Sequence, residues 1–194
     1  MTDAPVSENV MTLDEFVRLY DREGPFEILD GQRIVMSPTI MGHNIIVMRL
    51  VVPMQNYAQE NKLGECFTES PFVLTYDSDW VKGSRVPDIM FITAERLKTY
   101  HDSDPDWQSK PLVLVPDLVV EIVSPTDSYL DVDKKVHTYL ADGVKLVWVI
   151  NPRLQTVTAH VAGSNQHTTL SRQDTLTGGD VIPGFSIVVQ GLFE

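Results

Sequence analysis

The sequence predicts an α+β (mixed α/β) fold, and three observations carry that expectation. Helical and strand patterns follow in the order α-β-β-α-β-β-β-α-β and then give way to strands alone. The apolar runs at 118–123 and 145–150 have strand length, and a short helical stretch separates them. With 194 residues, 43% hydrophobic and 22% charged, the chain has the length and composition of one soluble domain with a full core. A tail at residues 1–11 and a domain at 12–194 are expected.

The elements read in order. Thr12-Leu13-Asp14-Glu15 fits a capping box opening a helix that should end near Asp21, before Gly24-Pro25. Strands at 26–29 and 33–36 flank Asp30-Gly31, a hairpin signal, and Ser37-Pro38 closes them. Residues 41–61 read as a helix with Ile45, Met48, Val52 and Tyr57 among its apolar positions, kinked or split at Pro53. One or two strands are expected at 65–76, then an Asp-Ser-Asp turn, then a continuous strand at 85–92. A short helix is expected at 94–100. Strands at 156–161, 167–170 and 181–188 complete the chain, with Gly178-Gly179 as a turn.

A net charge of −12 argues against a general polyanion-binding surface, though it leaves room for a local basic cleft or for carboxylates around a metal. Lys82, Arg85, Lys98 and Lys135 are the cations expected to form such a patch. Cys66, the single cysteine, fits a reducing compartment and carries no nucleophile signature. No signal peptide or membrane span is visible, so a cytoplasmic protein without a membrane association is expected. The five histidines show no zinc-ligand spacing.

Glu121 is the most informative residue, because a carboxylate inside an apolar strand is costly unless it is paired or binds a metal. Asp117 shares its strand and face but stands four residues away, about 13 Å, too far to share an ion whose oxygens lie ~2.1 Å from it. Asp88, from a different strand, can stand beside Glu121, which leaves Asp117 as a residue at the start of the strand. Helix phase selects the lysine. With Val132 at zero, Val136 and Tyr139 fall near 40° and −20°, Lys135 near −60° beside that apolar stripe, and Lys134 near 200° in solvent. Two carboxylates and a main-chain carbonyl suit Mg²⁺, and an adjacent lysine can orient water or stabilise charge on a phosphorane-like transition state. A purely structural Glu121–Lys135 pair explains the spacing equally well.

The segments FEILDGQRIVMSP (26–38), His43, VPDIMFI (86–92), PDLVVEIVSP (116–125), Asp131 with Lys135 and Tyr139, and GVKLVWVINP (143–152) resemble small bacterial restriction-endonuclease-like proteins. These are members of the PD-(D/E)XK nuclease superfamily. The resemblance implies a mixed central sheet flanked by helices, with the site at the split between central strands. It matches Asp88 to the motif aspartate, Glu121 to the motif acid, and Ile122 to the position whose carbonyl joins the metal. Val123 stands where the superfamily has lysine, a role the resemblance moves to Lys135. Glu27 and His43 match positions bordering the site. Mg²⁺, with Mn²⁺ able to substitute, comes with the resemblance.

The reading that follows is a metal-dependent DNA endonuclease with catalytic residues Asp88, Glu121 and Lys135, and metal ligands Asp88, Glu121 and Ile122. Two alternatives stand beside it: a catalytically inactive nuclease-fold interaction or regulatory protein, and a phosphodiesterase acting on RNA or nucleotides. Superfamily members often act as homodimers, but this sequence does not fix the oligomeric state.

Overall fold

The computed structural model describes residues 11–76, 80–125, 127–164 and 166–194. In chain order the elements are β1 (Met11–Thr12), α1 (Leu13–Glu23), β2 (Phe26–Leu29), β3 (Gln32–Val35), α2 (Met41–Glu60), β4 (Gly64–Thr68), β5 (Phe72–Thr75) and β6 (Trp80–Arg85). Then follow β7 (Ile89–Thr93), α3 (Ala94–Ser103), β8 (Leu118–Ile122), α4 (Tyr129–Asp142), β9 (Leu146–Asn151), β10 (Thr156–Val161), β11 (His167–Leu170), β12 (Thr175–Thr177) and β13 (Ser186–Val188). The mixed α+β expectation holds.

Local chemistry sets several boundaries as the sequence implied. The Thr12 hydroxyl accepts from the Glu15 amide, and the Glu15 carboxylate accepts from the Thr12 amide, so α1 opens on a complete capping box. Asp30 and Gly31 adopt φ of 51° and 72°, and their two-residue turn fixes the β2–β3 register. Residues 1–10 of the expected tail lie outside the described residues, as does the Asp-Ser-Asp turn at 77–79. Met11 already pairs with Val81.

The main sheet has the order β11-β10-β9-β8-β7-β4. Its β8–β9 pair is parallel and its other pairs, among the described residues, are antiparallel. A parallel pair needs a crossover, and α4 supplies it. Strand alternation then divides the core. Leu118, Val120, Ile122, Trp148 and Ile150 face α2 and the C-terminal segment, while Val119, Val147 and Val149 face Val136 and Tyr139 of α4. The second sheet joins β1, β6, β2 and β3, with β5 on β6, and packs against α1.

Three expectations need correction. The continuous strand at 85–92 is two strands in different sheets, separated by residues 86–88; Pro87 has no amide to donate, and the chain crosses between sheets there. The expected strand at 181–188 is strand only at β13; residues 181–185 form a turn, and β13 pairs with β12, a strand the sequence did not suggest. Helix α2 is a single element through Pro53 rather than split there, and its buried face is Ile46, Val47, Leu50, Met54 and Ala58. Ile45, Met48 and Val52, expected among the apolar positions, are exposed. An almost uncharged helix gives no polar face by which sequence periodicity can choose.

Candidate active site

The break between β6 and β7 positions the first carboxylate. Continuing the β7–β8 register by one residue from Ile89–Val120 puts Asp88 opposite Glu121. Asp88 Oδ2 accepts from the Ile122 amide at 2.6 Å, which ties the crossing segment to β8. Its Oδ1 lies 3.0 Å from Nε2 of His43, carried by the first turn of α2. Glu27, buried in β2, accepts from the Val86 amide at 3.0 Å and holds the same segment from the other sheet.

Glu121 projects to the α4 face of the sheet, where one helical turn meets both its oxygens. Lys135 donates to Oε2 at 2.9 Å, and the Tyr139 hydroxyl donates to Oε1 at 2.5 Å. The i, i+4 spacing places both donors on one face. Lys134 points to solvent. Burial pushes the Glu121 carboxyl up to about 7, and the negative charges of Asp88 and Glu27 act with burial against the opposing pull of Lys135 and Tyr139. Burial favours the neutral amine at Lys135, but Glu121 and Glu27 override it and raise its pKa, so the ammonium persists. Tyr139 is raised well above its ordinary value by burial and by these carboxylates, so it remains a donor. His43 is raised chiefly by its hydrogen bond to Asp88.

The structure therefore brings together Asp88, Glu121, Ile122 and Lys135, with Glu27, His43 and Tyr139 around them. Asp117 stays apart. It is fully buried at the start of β8, accepts from the Thr93 amide at 2.9 Å, and lies 3.0 Å from Arg96 and 2.8 Å from Lys145. The expected basic patch is already committed in pairs. Arg85 faces Asp142 at 2.9 Å, Lys98 faces Asp102 at 2.5 Å, and Lys135 faces Glu121. Lys82 lies 6.0 Å from the Tyr76 ring centroid. Burial pushes the Cys66 thiol up to about 12, which removes the thiolate a nucleophile needs.

Sequence reasoning missed the role of the Tyr139 hydroxyl and the burial of Glu27. The signal for Glu27 was present: a carboxylate within the apolar strand FEIL, the same anomaly that marked Glu121. Helix phase puts Tyr139 in the apolar stripe and the resemblance includes it, but neither assigns its hydroxyl a partner.

A cavity of about 20 Å³, room for one water, is lined by Glu121, Ile122, Asp127, Asp131 and Lys135, though not by Asp88. A larger one of about 630 Å³ lies around Asp117 and Lys145, away from Glu121. Among the described residues, no three His, Cys, Asp or Glu side chains converge as a ready-made cage for an ion. The donor set nevertheless suits a hard divalent cation. All its ligating atoms are oxygens, and Glu121 is raised first by burial and then by the negative charges of Asp88 and Glu27, both of which a cation beside it would offset.

No helix among the described residues is long and apolar enough to cross a membrane. A crystal structure of a putative nuclease belonging to DUF820, from Anabaena variabilis, shares the fold with a TM-score of 0.76. At 22% identity, the similarity covers 94% of this chain and 97% of that one. No curated protein matches. The Uma2 family model, described as a putative restriction endonuclease, matches residues 13–190 and so takes in the main sheet, the second sheet apart from β1, the crossing at Asp88 and the Glu121–Lys135 pair. By that match the chain belongs to the Uma2 family.

Proposed function

We propose that the protein is a divalent-metal-dependent endonuclease that hydrolyses phosphodiester bonds in DNA. One observation carries the reading. Glu121 is buried opposite Asp88 and held from a single helical turn by Lys135 and Tyr139, which is the acid–acid–lysine chemistry of a phosphodiesterase. Family membership supports the reaction class.

Asp88, Glu121 and the Ile122 carbonyl would hold Mg²⁺, or Mn²⁺ in its place. A bound ion supplies polarisation of the phosphodiester and a lowered pKa for bound water. The chain's own residues do the rest. The Tyr139 hydroxyl and the Lys135 ammonium fix both Glu121 oxygens, so the carboxylate keeps one orientation. The Ile122 amide and His43 do the same for Asp88. Lys135 Nζ carries a proton and a positive charge next to the acids, placed to orient an attacking water and to stabilise negative charge on a phosphoryl oxygen.

The inactive-protein reading draws on one observation: all four carboxylate oxygens of Asp88 and Glu121 already have partners within the chain. Incubation with plasmid, linear and single-stranded DNA and with RNA, in Mn²⁺ or with chelator, separates the readings. Chelator-sensitive DNA cleavage is expected. Substrates left intact under every condition would sink the proposal, and cleavage confined to RNA would replace DNA as the substrate.

A further inference from the structure

Helix α2 is apolar on two opposite sides, and only one of them is packed. Met41, Ile45, Met48 and Val52 fall within about 60° of one another around the helix, and the buried set of Ile46, Val47, Leu50 and Met54 is centred roughly 180° away. All four residues of the first stripe are exposed, as is Ile40 immediately before it, and Met41 reaches 75%. Ile45, Met48 and Val52 belong to none of the packed clusters. An exposed apolar stripe of this size on a folded chain is normally covered by a partner.

We infer that this stripe is the surface on which two copies of the chain associate, α2 against α2. Its chemistry selects the occupant. Arg49 and Glu60 are the only charged residues among the twenty of α2, and Arg49 donates to the Leu192 carbonyl. The face therefore offers nothing to a polyanion, and it lacks the flanking cations by which an amphipathic helix settles on a membrane surface. In a chain of net charge −12, like-charge repulsion opposes most encounters between copies, and an uncharged stripe is where it is weakest. Exposed area from Ile40 to Val52 is roughly 550 Å², so two copies would bury ~1,100 Å² in all, just above the ~1,000 Å² a specific interface needs.

A two-fold axis across the stripe would set each Met48 near its counterpart, because an isologous contact uses the same patch twice. His43 sits on the packed side of the helix, against Asp88, so such a pair leaves both candidate active sites uncovered. The inference does not rest on the proposed reaction.

Sedimentation equilibrium of the full chain tests it. Twice the mass of one chain is expected for the native protein. Met48→Glu, which would bury two facing carboxylates, should raise the dissociation constant by at least ~100-fold with an unchanged far-UV spectrum. Should that variant fold poorly, Met48→Cys with Cys66→Ser should be linked into pairs by a short thiol-bridging reagent, while Lys134→Cys in the same background should not. A native protein of single-chain mass at high concentration would overturn the inference. So would a Met48→Glu dimer of native affinity, or failure of Met48→Cys to link. If deletion of residues 1–10 created the dimer from a monomer, the chain's own N-terminal segment would be the occupant, and the inference would again be wrong.

Discussion

Replacing Tyr139 with Phe removes one hydroxyl and keeps the ring that lies 6.3 Å from Phe72, so its effect should fall on Glu121 rather than on packing. The lost bond is a short one to a buried carboxylate, 2.5 Å from Oε1. Hydrogen bonds to charged groups contribute about 1.5–3 kcal/mol, and one pKa unit corresponds to about 1.4 kcal/mol. Glu121, already pushed up to about 7, should therefore rise by roughly one to two units in the variant. At neutral pH its ionised fraction should fall accordingly, severalfold for one unit and further for two. The folded value lies above the unfolded one of 4.5, so the folded chain keeps a proton that the unfolded chain releases. The stabilisation is complete below pH 4.5 and is lost as pH rises through about 7. In the variant that loss should extend one to two units further. A ¹³C titration of the Glu carboxylates, with Glu121→Gln to assign the signal, measures both values. A Glu121 that titrates in the ordinary carboxylate range, or that Tyr139→Phe does not move, would refute the reasoning.

Further outcomes follow from the same contacts. Glu121→Ala and Lys135→Ala should each reduce DNA cleavage by about 10²–10⁴-fold while thermal unfolding remains cooperative, and a variant as active as the native protein would remove that residue from the site. Asp117→Asn should lower stability by about 1–3 kcal/mol in urea unfolding, since a buried acceptor loses its charge beside Arg96 and Lys145, yet leave cleavage unchanged. His43 is raised above 6.5 by Asp88, so its stabilisation is present below that pH and is lost as pH rises through the raised value. His43→Asn should therefore flatten the decline of stability across neutrality, read from unfolding midpoints at successive pH values.

What the sequence made legible was local chemistry or strict periodicity. The capping box at Thr12 and the Asp30-Gly31 turn need only neighbouring residues. The Glu121–Lys135 contact needed only one strand, one helix and their phases. Long-range partners were invisible. Arg85 and Asp142 stand 57 residues apart, and their pairing cancels a cation that composition counts as available. The burial of Glu27 follows from the second sheet crossing over the residues before Asp88. Helix α2 misled because its apolar residues surround it, and only the placement of the sheet decides which side is packed. The same symmetry that hid its buried face leaves the exposed one in need of a partner.

The central claim is that Asp88 and Glu121 jointly hold a divalent ion beside Lys135. Crystals soaked in Mn²⁺ test it most directly, because manganese scatters anomalously and the peak locates the ion without reference to activity. A peak contacting the Asp88 and Glu121 carboxylates and the Ile122 carbonyl is expected. No peak there at saturating Mn²⁺, or a peak at Asp117 instead, would contradict it.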